Sequence, residues 1–578
     1  MDIHQYDMFE THLSSHFDGN PFDIDLEVEM QSPNGSVKRI HGFYDGEERF
    51  AFRFMPEQLG KHSYRTRCSL ASLNDKQGFF HCIPARANKH GKVIVKDKYW
   101  FAYRDGSNYF EAGTTCYAWI HQNEDIQNRT LETLSRAYFN KIRMCIFPKW
   151  YEYNHTQPLH YPFVGNVTEG FDYDVLNVDF FKHLDECVMK LGELNIQADI
   201  ILFHPYDHDK WKFNGMRFDQ DKRYLRYVCA RLSSHHNVWF SLANEYDLIR
   251  FGYKRNKHSW NKLLSIVNHF NVHDHLMSIH QLNKMFDHRN KMITHCSIQR
   301  TEMYLTAELG DSWRKQFGKP VVIDECVYEG NINAWWGGIS ALELVRRFWE
   351  ATARGCYLGH GETLLNDSEF LWWSHGGQLY GQSAERIRFL KEIMEETPNI
   401  HFSSESGRYH LARGLADRDT QLIYLGNNQP SNFKVLLAQG VKYQIQVIDT
   451  WTMQRTFLPD LYEQECWVQL PSRPYMAILC IAKVYAVKDI VLTEDSRLEE
   501  YMWTKGGRKV LRALKFIFKW GNPDFYASAL QSSIKQINTQ SNGALGKNLS
   551  KGILILANEG NAFKAIRHRL MNKRGRDQ

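Results

Sequence analysis

The stretch Val238-Trp239-Phe240-Ser241-Leu242-Ala243 is apolar and ends abruptly on Asn244, Glu245, Tyr246 and Asp247; eighty residues beyond Glu245, the run Pro320-Val321-Val322-Ile323-Asp324 ends on Glu325. Each run is too short for an ordinary helix, and the first is apolar enough for a strand covered on both faces. A carboxyl group closing such a strand lies, in a parallel barrel, on the rim where chemistry is done, although a lone one is more simply a solvated loop acid. A pair can cut a glycosidic bond. One protonates the departing oxygen while the other, ionised, attacks the anomeric carbon or activates water, which requires environments that hold the two pKa values apart. Asn244 adds an amide that can bind a sugar hydroxyl as the oxocarbenium-like transition state develops.

Such residues meet only on a scaffold whose strand ends share a cavity. Between about 90 and 400, short apolar runs alternate with helical periods such as Phe180, Phe181, Leu184, Cys187, Val188 and Leu191, the pattern of parallel βα units. Eight runs stand out, at 109–114, 142–147, 198–203, 238–243, 276–279, 292–297, 320–324 and 355–359. No glycine-rich phosphate loop follows the first, which disfavours a doubly wound sheet. The expected fold is therefore multidomain, with a central (β/α)8 TIM barrel at 89–402. An N-terminal Ig-like β-sandwich precedes it at 1–88, a small C-terminal β-sandwich follows at 403–487, and a helical, basic tail occupies 488–578. The first sandwich is read from the alternation of Phe22, Ile24, Leu26, Val28 and Met30 with acidic residues, followed by the turn Ser32-Pro33-Asn34-Gly35.

If that register holds, the residues closing the runs line one polar cavity. They are Arg143 with Lys149 and Trp150 on run two, His204 and Asp207 on three, Asn244 and Glu245 on four, and His280 on five. His295 and Gln299 come from run six, Glu325 and Tyr328 from seven, and Glu362 from eight. Trp372, Trp373, Trp119 and Trp150, with Trp335 and Trp336, are candidate platforms under a sugar ring, although about half of them are expected in the core.

Composition narrows the class. Lysine and arginine number 71 against 66 aspartates and glutamates, a net charge of +5, so no strong field argues for nucleic acid or an anionic membrane as partner. The first ten residues have neither a basic head nor an apolar segment, and no run reaches membrane-spanning length. Eleven cysteines lack any CxxC pair, which with the missing signal predicts reduced thiols and a cytoplasmic location. The expected partner is a carbohydrate, an imported oligosaccharide or small glycoside bound in a pocket-shaped exo-acting site; self-association into a homo-oligomer stays open. No cofactor and no catalytic metal is implied, which leaves room for a cation in a structural role.

"SLANEYD" and, further on, "KPVVIDEC" resemble the strand-four Asn-Glu and strand-seven Glu signatures of the retaining clan A glycoside hydrolases. "RDGSNYFEAGTTCYAW" is similar to the barrel opening of their apiosidase-like branch. The resemblance spans about residues 1–490. It implies that Glu245 is the general acid/base, Glu325 the nucleophile, Asn244 a ligand for the neighbouring hydroxyl and Arg143 a support for the nucleophile. It also exposes a departure: many clan members end strand six on a tyrosine, whereas this chain offers His295.

Two rivals remain. A metal-dependent barrel hydrolase is suggested by His204, Asp207, His208 and Asp209, but the first run reads Phe110-Glu111-Ala112-Gly113-Thr114 and lacks a His-x-His pair. A catalytically inactive carbohydrate-binding protein is disfavoured by the presence of both glutamates.

Overall fold

In the computed structural model, residues 1–485 are described except 208–209, 251, 369, 398–399, 403–409 and 415–419. The basic tail expected at 488–578 and the residues His208 and Asp209 lie outside the described residues.

Eight parallel strands form the centre: Gly113–Thr115 (β1), Lys141–Cys145 (β2), Gln197–Ile201 (β3), Val238–Ser241 (β4), Met277–Ser278 (β5), Cys296–Gln299 (β6), Val321–Glu325 (β7) and Tyr357–His360 (β8). Their order is β5-β4-β3-β2-β1-β8-β7-β6. The seam between β5 and β6 is bridged by the Thr294 amide donating to the Met277 carbonyl at 2.8 Å, which completes the barrel. Around it run Glu124–Ser135 (α1), Val178–Glu193 (α2), Phe218–Leu232 (α3), Lys257–Phe270 (α4), Gly310–Phe317 (α5), Ala341–Ala353 (α6) and Ser383–Glu396 (α7). The connection from β5 to β6 contains no helix, a departure from eight full βα units.

Local chemistry explains these elements. Asn123 and Asn177 cap α1 and α2 by accepting from the amides of Ile126 and Asp179, satisfying donors that a helix start leaves open. The apolar stripe of α2 read from the sequence is buried as a unit, and every residue of β2, β3, β4 and β7 is buried, as a sheet covered on both faces requires. A hairpin of Val93–Lys96 and Trp100–Tyr103 packs at the bottom of the barrel. Its Phe101 ring lies 5.1 Å from Trp239 and 5.0 Å from Tyr357.

The N-terminal region packs a five-stranded sheet (Asp2–His4, Gln77–Ile83, Gly60–Arg67, Glu27–Gln31, Val37–His41) against a three-stranded one (Phe9–Ser14, Arg49–Phe54, Phe43–Gly46), around Phe9, Val28, Met30, Phe52 and Phe80. The alternating segment enters this sheet only from Glu27, because Asn20 and Pro21 fold Pro21–Asp23 into a 3-10 turn. Buried charges tie the sandwich to the barrel. Arg53 donates to Asp185 at 2.8 Å and contacts Glu10, while Arg231 reaches Asp185 at 2.6 Å and Asp45 at 2.9 Å. Two guanidiniums hold the Asp185 carboxyl far below the usual carboxylate range against the opposing effect of burial.

After the barrel, strands Ile400–Phe402, His410–Gly414, Thr420–Tyr424, Met476–Tyr485, Val441–Asp449 and Gln454–Tyr462 form one antiparallel sheet, and Asn432–Leu436 pairs with Glu465–Gln469. Trp349 of α6 stacks on Tyr424 at 6.0 Å.

Candidate active site

A layer of buried charge inside the barrel underlies the site. Lys141 lies 2.9 Å from both Glu111 and Asp324, and Arg143 donates to Asp199 at 2.7 Å. The Ser297 hydroxyl donates to Asp324. With two cations against three acids, the surplus falls on Glu111, which burial and the Asp324 charge raise to about 7 against the pull of Lys141. Arg143 also reaches upward, donating to Asn244 Oδ1 at 3.0 Å and to Ser241 Oγ at 3.3 Å. This fixes the Asn244 amide with its NH2 turned away from the guanidinium.

Above this layer stand the two carboxyls. Glu245 follows β4 in the left-handed region at φ 43°, and Val327, two residues beyond Glu325, lies there at φ 72°. A β-branched residue at positive φ is a rare, strained conformation of the kind that clusters at functional sites. Burial and the nearby Glu325 charge raise Glu245 to about 8, opposed by the Lys149 ammonium and a hydrogen bond from Gln299. Its Oε2 is buried without a hydrogen-bond partner among the described residues, so the neutral form is favoured. Glu325 differs, because the Tyr117 hydroxyl donates to its Oε1. The Tyr328 hydroxyl is buried in the field of the same carboxylate. His280 accepts the Glu245 amide on Nδ1 at 3.3 Å, which places its proton on Nε2. Burial lowers it to about 4, so it is a neutral donor at pH 7.

Lys149 completes the cluster. Its ammonium lies 4.0 Å from the Tyr117 ring centroid, 4.2 Å from Trp373 and 4.5 Å from Tyr206, favourable cation–π geometry. Burial lowers it to about 8, and the charges of Glu325 and Glu245 oppose that shift. Trp336 packs on Trp373 at 4.8 Å, extending an apolar wall suited to the C–H face of a sugar.

The structure thus brings Arg143, Asn244, Glu245, His280, Glu325, Tyr328 and Trp373 together, and removes others. His295 precedes β6 and lies at the barrel bottom, 5.3 Å from Trp239 and 5.6 Å from Phe101. The predicted run 292–297 began too early; the strand is Cys296–Gln299, and Gln299 reaches the site instead. His204 donates from Nε2 to the Phe147 carbonyl at 3.0 Å and accepts the Tyr206 amide on Nδ1 at 3.0 Å, leaving neither nitrogen for substrate or metal. Trp119 is core and donates to Met144 Sδ at 3.0 Å, and Trp372 donates to Thr114 Oγ1 at 2.8 Å. Trp150 packs against Trp211 at 6.2 Å and under the Lys210 ammonium, outside the aromatic wall, while Trp335 is 61% exposed. Glu362 accepts the amides of Tyr380 and Gly381 at 2.8 Å each and faces Glu329 rather than the paired carboxyls. Sequence reasoning missed Tyr117 and the central place of Lys149. The available signals were a tyrosine three residues past run one and a lysine two residues past run two.

A parallel barrel with two buried glutamates of unlike surroundings, one following β4 and one closing β7, suits a sugar-processing hydrolase, and comparison with known proteins agrees. Residues 95–400 match the apiosidase-like catalytic domain; residues 2–69 and 410–480 match two domains of unknown function, DUF5060 and DUF5605. A solved structure described as a "putative glycoside hydrolase" from Bacteroides vulgatus ATCC 8482 is 32% identical, covering 83% of this chain and 100% of that chain at a TM-score of 0.79. A glycoside hydrolase family 5 structure from the same organism is 13% identical, covers 68% of this chain and 94% of that chain at a TM-score of 0.51, and attests the fold alone. None of the curated proteins compared matches. The chain belongs to the apiosidase-like catalytic domain family and is a glycoside hydrolase.

Proposed function

We propose that the protein is a retaining glycosidase in which Glu245 is the acid/base and Glu325 the nucleophile. The observation that carries this reading is the divergence of the two carboxyl environments. Glu245 is raised to about 8 and holds its proton at pH 7, while Glu325 is engaged by a phenolic donor. In the first step Glu325 Oε attacks the anomeric carbon, the bond to the leaving oxygen breaks, and Glu245 transfers its proton to that oxygen. In the second, Glu245, now ionised, takes a proton from water as the water oxygen displaces Glu325 from the glycosyl ester. Tyr117 positions the attacking carboxylate, Asn244 and the Nε2 proton of His280 offer donors to sugar hydroxyls, and Trp373 with Trp336 supplies the stacking face. The substrate proposed is a small glycoside or the end of an oligosaccharide.

A panel of nitrophenyl glycosides, including pentofuranosides, galactosides and glucuronides, identifies the sugar. On the best substrate, Glu325→Ala abolishes turnover, and azide restores cleavage with a glycosyl azide of inverted configuration, read by NMR. Rescue of Glu245→Ala with retained configuration completes the assignment. A wild-type product of inverted configuration refutes double displacement. Full activity in excess chelator is expected, and its loss favours the metal-dependent alternative.

A further inference from the structure

Outside the catalytic cavity, Glu329, His360 and Glu362 bring one donor atom each to within 4.8 Å of one another, all three buried. Glu329 and Glu362 are direct partners in a parallel two-stranded ladder, Glu329–Gly330 against Glu362–Thr363. Like charges opposite one another in a sheet destabilise it, and burial makes the repulsion worse. Among the described residues, neither carboxylate is in an ion pair with a lysine or arginine, and no cation acts on Glu362. What surrounds them is dipolar only. Tyr380 and Gly381 amides donate to the two oxygens of Glu362 at 2.8 Å each, and Gln382 and Ser383 amides donate to those of Glu329 at 2.9 and 3.1 Å.

Four consecutive amides at the start of α7 thus clamp two carboxylates without supplying net positive charge. Gly381 makes the approach feasible: a Cβ there meets Glu329 Oε2 at 2.5 Å and Glu362 Oε2 at 2.6 Å. His360 gives an independent pointer. Its ring stacks on Phe139 at 4.5 Å, and its Nδ1 pairs with Thr114 Oγ1 at 2.9 Å. Its Nε2 is fully buried and has no hydrogen-bond partner among the described residues, and a ring nitrogen of His360 lies within 4.8 Å of a carboxylate oxygen from each glutamate. A buried imidazole nitrogen left open beside two uncompensated carboxylates is a cation site by its chemistry, with each ligand already oriented by an outer hydrogen bond.

We propose that Glu329, His360 and Glu362 bind a divalent first-row transition-metal ion of the zinc class, which fastens the segments after β7 and β8 to the start of α7. One imidazole and two carboxylates suit zinc better than calcium or magnesium, which take all-oxygen sets. The role is structural and independent of the catalytic assignment of Glu245 and Glu325.

The test uses the full chain, stripped with chelator, dialysed and titrated with Zn2+ by calorimetry, with Co2+ as a spectroscopic probe. The expected result is one equivalent of Zn2+ more in the wild type than in His360→Asn or Glu362→Gln. A rise in melting temperature with Zn2+ should be absent from both variants, and bound Co2+ should give visible d–d absorption. Thr114→Val should weaken Zn2+ binding about 10- to 100-fold by releasing the His360 ring. If the variants fail to fold, the stripped wild type decides alone: no Zn2+-dependent shift in melting and no Co2+ spectrum overturns the proposal. A metal-independent Glu362→Gln chain more stable than the wild type also overturns it, because a carboxyl pair sharing a proton over α7 then explains the site. Glycosidase activity unchanged by stripping separates this outcome from the catalytic reading.

Discussion

Replacing Glu245 by glutamine, an uncharged near-isostere, isolates the energetic consequence of keeping an acid in this cavity. The unfolded glutamate titrates at 4.5 and the folded one at about 8, raised by burial first and the Glu325 charge second. Below pH 4.5 both states carry the proton, and Glu245 makes no pH-dependent contribution. Between 4.5 and about 8 the unfolded chain has lost the proton while the folded chain retains it. Unfolding therefore releases a proton, and stability falls with rising pH. Above about 8 both states are ionised and the loss is complete. A gap of about 3.5 in pKa at 1.36 kcal/mol for each step gives a ceiling of about 5 kcal/mol. A glutamine side chain has no proton to lose. The Glu245→Gln chain should therefore gain on the wild type progressively from pH 5 to pH 8, and even about 2 kcal/mol amounts to a few degrees of melting temperature.

Scanning calorimetry of both chains across that range, at one scan rate, measures the difference. The variant should be inactive throughout, the trade of stability for function expected of a catalytic acid. A melting-temperature difference constant from pH 5 to pH 8.5 means that Glu245 ionises like an exposed carboxyl, and it then cannot supply a proton at pH 7.

Tyr117→Phe removes the hydroxyl that donates to Glu325; a hydrogen bond to a charged group is worth about 1.5–3 kcal/mol, so kcat should fall roughly 10- to 100-fold with KM little changed, and an unaltered kcat removes Tyr117 from the mechanism. Lys149→Met deletes the cation that lowers Glu245, so the alkaline limb of the pH–rate profile should move upward while Lys149→Arg stays near the wild type; a limb that does not move contradicts the electrostatic contact. Arg143→Met leaves Asp199 short of its 2.7 Å partner, a loss of about 3–5 kcal/mol for a broken buried pair that circular-dichroism melting should register, and unchanged melting refutes the buried charge layer as a stabilising unit.

The contrast between Glu325 and His295 explains how far the sequence could be read. Apolar runs mark buried parallel strands because both faces must be covered, and β4 and β7 end on polar residues abruptly enough that Glu245 and Glu325 emerge at the rim. Around β6 the pattern blurs. Met292 and Ile293 extend the apparent run toward its start although the strand begins at Cys296. An offset of that size carries a side chain from the top of a barrel to its bottom, where His295 packs under the hairpin bearing Phe101. Single tryptophans fail for a related reason: Trp372 and Trp373 are adjacent and both buried, yet one bonds Thr114 in the core and the other faces Lys149, and alternation alone does not say which. Hydrogen-bond partners are legible only when the chain closes in space. Tyr117 meets Glu325 from 208 positions away, and nothing local to Tyr117 foretells that meeting. Where many clan members end strand six on a tyrosine this chain has His295, and the phenol that donates to Glu325 comes instead from the segment just past β1.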